Sequence, residues 1–341
     1  MKGTFVIACC LMAPLGLEAH HTYTEYDNQK TIEIEGRLVT AAWINPHARL
    51  QVQRVEQNGK IVLYDVESAP ANSLRRVQVP VEIYGVGTVV KVAGWPSRRS
   101  PMRLYGTNIR SSDGQESVLW QSKPRWATTA HGFGESAPRA PAAGTKGPDS
   151  IFHVWASLSG DSDAGPGALA RAPLSLTPAA QQMLAHFNPV EQTTSQGCTP
   201  KGMPTIMNNP TPMEFVDQKD VILLRMEEYD TVRTIHMTSQ AKPETQPKTA
   251  LGYSTGRWDG KTLVVDTSRI NARYFNNRGI RLGTATQLVE RFTPDPDGNR
   301  LHYTLTATDP EILTVPAEMK RAWVYKPGEK VMPFNCTTTV K

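Results

Sequence analysis

What this chain lacks narrows it quickly. It has four cysteines in 341 residues, at positions 9, 10, 198 and 336, and no Cys-x-x-Cys spacing, which leaves no footing for a cysteine-held zinc. Past the N-terminal residues no segment approaches the ~20 apolar residues that a membrane-spanning helix needs. Neither sign of charge dominates: 37 Lys and Arg stand against 32 Asp and Glu, for a net charge of +5. The basic residues are scattered, with only Arg98, Arg99 and Arg103 forming a small patch. A nucleic-acid surface wants a continuous basic face lined with aromatics, so no such partner is expected. The 26 prolines work against long helices. Internal repeats and β-α-β alternation are missing too, which disfavours solenoids and parallel-sheet enzymes.

What is present begins with a leader. Residues 1–19 have the form of a secretory signal: Lys2 supplies the positive start, Phe5 to Leu17 the apolar run, and Leu17-Glu18-Ala19 the small-residue exit. Cleavage there makes His20 the first residue of an exported chain, periplasmic or secreted, and removes Cys9 and Cys10. An oxidising compartment is then expected to join the remaining pair, Cys198 and Cys336.

Alternating apolar residues mark strands at 31–40, 49–55, 61–67, 86–95 and 103–110, with an Asn58-Gly59 hairpin turn and a helical interruption at 68–76. Strand order and size are those of an OB barrel, so residues 20–120 are read as an OB-like β domain. From 121 to 175 the composition turns to Pro, Ala, Gly, Ser and Thr and no period survives; this is read as a linker and irregular segment, with Trp155 docking on a domain. Residues 176–341 form the second domain. Thr177-Pro178 opens its one short helix, which ends before Asn188-Pro189. Strands are expected at 213–217, 221–229, 231–238, 253–258, 261–267, 286–293, 300–308 and 321–325. The fold class is therefore all-β: an OB-like five-stranded barrel, then an antiparallel meander closing as a lipocalin-like barrel.

Several motifs carry a resemblance. His20-His21, Gly36, Trp43-Ile44-Asn45-Pro46-His47 and Gly94-Trp95-Pro96 resemble an uncharacterised small domain of exported bacterial proteins. Gly197-Cys198-Thr199-Pro200, the run from Gly256 to Thr267 (GRWDGKTLVVDT), Glu290-Arg291-Phe292 and Asp309-Pro310 are similar to an uncharacterised β-rich family, also bacterial and exported. These resemblances imply location and β architecture; no activity comes with them.

Three places invite chemistry. Gly252-Tyr253-Ser254-Thr255-Gly256 matches the G-x-S-x-G nucleophile elbow, but that device needs a strand, a strained turn and a helix, and here a hairpin comes next. Ser254 is accordingly read as an ordinary strand residue, Gly256 and Gly260 as backbone requirements of the hairpin, and Trp258 as a packing anchor. The second place is the expected mature N-terminus. The α-amino group and imidazole of His20, with His47 or His21, would make a histidine brace suited to copper, a possible cofactor. The third comes from strand parity: Glu290 lies between Leu288 and Phe292, Arg233 shares a face with Ile235, Tyr303 with Leu301 and Leu305, and Glu228 with Leu224 and Met226. Charges on an apolar face are costly unless paired or used, so Glu290, Glu228, Arg233 and Tyr303 are expected to meet in an apolar cavity as a candidate catalytic set. Asp266, of opposite parity to Leu263 and Val265, is expected to face solvent.

The leading expectation is an exported two-domain β protein that binds a small, largely apolar molecule in the second barrel, with acid/base chemistry by Glu290 as an extension. A copper-binding protein working through His20 and His47 is one alternative. A structural or adaptor module is the other.

Overall fold

The computed structural model describes residues 25–120, 122–133, 146–157, 173–188, 192, 197–238, 241–276 and 278–338. The expected leader, His20 and His21 lie outside them.

The first unit is built from β1 (Ile32–Ala42), β2 (Arg49–Val55), β3 (Ile61–Glu67), the short helix α1 (Ala71–Arg76), β4 (Val89–Pro96) and β5 (Arg103–Ser111). The strands pair in the order β3-β2-β1-β4-β5, and a parallel contact between β3 and β5 closes them into a five-stranded barrel with α1 between β3 and β4. That is the OB-like arrangement. Inward Leu38, Leu50, Val52, Val66, Val90, Val92, Leu104 and Ile109 fill it, and Leu74 of α1 plugs one end. The sheet runs further than expected, through β6 (Glu116–Val118) and β7 (His131–Gly132), into what composition marks as linker.

The second unit is a closed barrel of nine strands. They are β8 (Val154–Ser157), β9 (Met213–Asp217), β10 (Val221–Met226), β11 (Thr231–His236), β12 (Tyr253–Asp259), β13 (Thr262–Ser268), β14 (Gln287–Pro294), β15 (Arg300–Thr308) and β16 (Ala317–Tyr325). Helix α2 (Pro178–Ala185) is capped by Thr177, whose hydroxyl accepts from the Ala180 amide at 3.2 Å.

Two features of this barrel depart from the sequence reading. The segment around Trp155 is no loose element: β8 pairs with both β16 and β9 and closes the barrel, burying Trp155 completely. Four residues are too few to display an alternation, which hides the strand. Nor is the barrel a strict meander, since β11 and β12 run parallel, with Ile235 opposite Ser254. Parity demands this, because an odd number of strands cannot close with every neighbour antiparallel.

The β12–β13 hairpin turns through Gly260-Lys261, with Gly260 at φ +60°. Gly256 serves close packing: a Cβ there would lie 2.5 Å from the Met237 sulfur and 2.7 Å from Ile235 Cγ2. Trp258, expected as a packing anchor, packs at the surface and not in the core. It stands at the hairpin tip, 45% exposed, with Phe152 edge-on at 6.1 Å.

The C-terminal segment joins the two units. Cys336 is disulfide-bonded to Cys198 and lies beyond the last strand, where it bridges to Asn45 of the first unit. Glu227, fully buried, accepts from the Arg76 guanidinium (2.7 Å from Nη1), from Asn72 Nδ2 at 3.3 Å and from the Met332 amide at 2.9 Å. Asn72 also donates to the Pro333 carbonyl, and the Thr337 amide to the Asn45 carbonyl. No described helix is long and apolar enough to cross a membrane.

Candidate functional site

Two arginines point into the second barrel, and their surroundings differ. Arg233, on β11, faces Glu290 of β14 with a two-pronged contact in which Nη1 lies 2.9 Å from Oε1 and Nη2 meets Oε2. Its Nε donates to Ser254 Oγ at 3.1 Å and its Nη2 to Thr267 Oγ1 at 2.6 Å. The Tyr303 hydroxyl donates to Glu290 Oε1 at 2.8 Å, and Thr267 Oγ1 to Oε2 at 3.2 Å. Glu290 is 0% exposed and Arg233 and Tyr303 1%. Burial works against the guanidinium charge, but Glu290 more than offsets it, so the pKa of Arg233 lies above its ordinary value. Burial, then the neighbouring carboxylate, pushes the Tyr303 phenol well above its ordinary value. The network is closed, with both Glu290 oxygens engaged.

Parity thus places Arg233, Glu290 and Tyr303 together, as the sequence predicts. It does not place Glu228 with them. Strand β10 stops at Met226, and Glu228 falls in the 3-10 turn Glu228–Asp230, where the period of two no longer applies. The three residues are almost wholly buried, with Phe292 and Trp323 against the Tyr303 ring and Leu224 opposite Arg233 on the neighbouring strand. Ser254, on an extended strand instead of an elbow, is buried as an acceptor for Arg233. Asp266 faces outward as expected and pairs with Arg257.

The second arginine, Arg321, has no charged partner of this kind. It lies opposite Tyr303 on β16, stacked over Trp323 at 4.5 Å, and is 2% exposed. Its guanidinium donates to the Met207 and Asn209 carbonyls and, at 2.9 Å, to Ser157 Oγ. No carboxylate among the described residues forms an ion pair with it. Burial pulls its pKa down to about 9, with Tyr303 and Glu228 pulling weakly the other way. Sequence reasoning misses this residue because a strand taken to begin at 321 shows no parity there. Begun at Ala317, β16 alternates Met319, Arg321 and Trp323 on one face.

Around Arg321 the segment 197–212 folds over the barrel end, its 3-10 turn Thr205–Asn208 burying Ile206 and Met207. Lys201 Nζ donates to Glu228 Oε1 at 2.7 Å and to Asn209 Oδ1 at 3.3 Å. Five buried polar atoms here have no hydrogen-bond partner: Arg321 Nε, Asn209 Nδ2, Thr211 Oγ1, Asn208 Oδ1 and Glu228 Oε2. Native proteins pair the large majority of such atoms with protein or water. Contacts through Asn209 tie the group together, since its carbonyl meets Arg321 and its side chain meets Lys201.

A separate cleft of about 440 Å³ lies on the outer face of β12, β13 and β14, lined by Glu244, Lys248, Tyr253, Asp266, Arg269 and Gln287 among others. Its cations are largely committed: Lys248 donates to the Thr284 carbonyl and Arg269 to the Gln246 carbonyl. In the first barrel, His47 Nδ1 lies 2.9 Å from the Ser68 carbonyl and 3.5 Å from Glu67 Oε1. A carbonyl only accepts, so Nδ1 carries the proton in that contact. No group of three or more metal-ligating side chains occurs among the described residues.

A family model described as a family of unknown function (DUF6152) matches residues 9–103, which takes in the first strands of the OB-like barrel and agrees with the resemblance of that part. Neither the curated proteins nor the solved structures contain a match.

Proposed function

We propose that the protein is an exported binding protein that receives a small molecule at the Lys201 end of the second barrel, above a rigid floor made by Arg233, Glu290 and Tyr303. The reading is carried by the five unpartnered polar atoms gathered around Asn209 and Arg321. Buried donors and acceptors left unmade cost about 1–3 kcal/mol each, so a site holding several is built for something that completes them. Glu290 is a poor acid or base by comparison, because its oxygens are occupied and side chains wall it off. Export is supported by the leader-like N-terminus and by the disulfide between Cys198 and Cys336. The test is a thermal-shift survey of small metabolites. Compounds that raise the melting temperature of the wild type should lose that effect on Glu228→Gln and Lys201→Met. Equal stabilisation of both variants rejects the assignment.

A second reading, copper binding, draws on His47 and on the chain that leads on from His20. A hydrogen bond from Nδ1 to a backbone carbonyl is how metal-ligating histidines are commonly oriented. Glu25 is held by Ser97 Oγ at 2.9 Å and lies 3.5 Å from Arg103, which in turn reaches Glu67 at 3.6 Å beside His47. Mature protein beginning at His20 should bind one copper ion per chain by elemental analysis, and His47→Ala should release it. Metal content unaffected by that substitution ends this reading.

A further inference from the structure

The charge and hydrogen-bonding pattern of the Lys201 chamber specifies a class of occupant, an inference that rests on reading this end of the barrel as a ligand site. The formal charges of the chamber do not balance. Lys201 and Glu228 form an ion pair at 2.7 Å, so the three charges sum to a net single positive charge, and the groups that bond or stack on the Arg321 guanidinium are carbonyls, a hydroxyl and an indole face. A buried charge without a counter-charge is expensive, and the fall in its pKa expresses the same deficit. The missing partner therefore carries one negative charge.

The unpartnered atoms say what else it carries. Arg321 Nε, Asn209 Nδ2 and Thr211 Oγ1 are able to donate, which calls for acceptor oxygens. Glu228 Oε2 and Asn208 Oδ1 only accept, which calls for a hydrogen on the ligand. The Asn209 assignment is fixed by its other end, since Oδ1 accepts from Lys201. Arg321, Asn209, Thr211 and Glu228 are all buried, so an occupant that reaches them is small. Lys201, with a side chain 25% exposed, is the point of contact with solvent.

We propose that the chamber binds a small monoanionic oxyacid that also bears a hydroxyl group, its oxyanion on Arg321, Asn209 and Thr211 and its hydroxyl on Glu228 or Asn208. A hydroxycarboxylate and an inorganic hydrogen-oxyanion share this chemistry, and the experiment separates them. The full mature chain is titrated calorimetrically and by thermal shift with glycolate, lactate, bicarbonate and inorganic phosphate, each at fixed pH and ionic strength, with acetate as the anion lacking a hydroxyl. At least one hydroxylated anion should bind, and acetate about tenfold or more weaker, the factor equivalent to one lost hydrogen bond to a charged group. Thr211→Val, which keeps side-chain shape, should weaken binding about tenfold, and Arg321→Met should abolish it. Thr211→Val alone decides the matter if the arginine variant fails to fold. Acetate binding as tightly as glycolate overturns the hydroxyl assignment and keeps the chamber. No binding by any of the anions, with ordered water alone in electron density around Asn209, overturns the ligand class. Loss of every metabolite response on Lys201→Met alongside that result leaves the broader reading intact, so the two failures are distinguishable.

Discussion

Arg233 and Arg321 occupy the same barrel, are equally hidden from water and stand on either side of Tyr303, yet one is matched and the other is not. Arg233 meets a carboxylate with planar two-pronged geometry, and two hydroxyls complete its donors. Arg321 meets carbonyls that satisfy direction but not charge. A buried cation with a full complement of partners reads as architecture. On the proposed function, one with a deficit is half of an interaction whose other half arrives from outside.

Four measurements would break or sharpen that contrast. The largest effect is expected from reducing the bond between Cys198 and Cys336, separated by 138 positions. Chain entropy puts the loss at about 5 kcal/mol, and because Cys198 leads directly into the segment over Arg321, ligand response should fall with it; urea denaturation with and without reductant reads both. Glu290→Gln should cost about 3–5 kcal/mol by leaving Arg233 charged and buried without its carboxylate. An unchanged urea midpoint would show the pair to be dispensable. Arg321→Met should cost less, under about 2 kcal/mol, because removing an uncompensated charge offsets the two carbonyls it strands. A loss as large as that of Glu290→Gln would mean that Arg321 is matched after all. The smallest effect is on pH dependence. The folded pKa of Tyr303 is raised, so its contribution is complete below the unfolded phenol value of about 10 and is lost as pH rises towards the folded value. Tyr303→Phe should therefore lose stability less steeply than wild type above about pH 10, measured by thermal melts in parallel buffers. Identical slopes would put the alkaline sensitivity elsewhere.

Much of the closed network was legible in the sequence because strands enforce a period of two. Glu290 between Leu288 and Phe292, and Tyr303 between Leu301 and Leu305, can only point inward if the neighbouring apolar residues do. The open cluster was not legible, for reasons that are equally physical. It is assembled from a strand whose first residues lack a clear pattern, a 3-10 turn that ends the alternation before Glu228, and a loop containing Lys201, Asn209 and Thr211 whose positions obey no period. Ser254 shows the value of context over motif. The absence of a helix after Gly256 argues against a nucleophile elbow, and the serine's place on an inward-facing strand makes it an acceptor for Arg233. The two cysteines were legible because the expected leader removes every other candidate.

The short strand β8 has a consequence for how the chain hangs together. The disulfide closes a covalent loop from Cys198 to Cys336, and that loop contains β9 through β16 but not β8. The ninth stave of the barrel is thus supplied from the side of the first unit, held by backbone pairing to β16 and β9 and by the buried Trp155. Were the chain severed between Ser157 and Leu174, the N-terminal fragment would retain a strand that fits the gap in the C-terminal one. The two pieces should then reassemble without a covalent link, in the manner of a key returned to its lock.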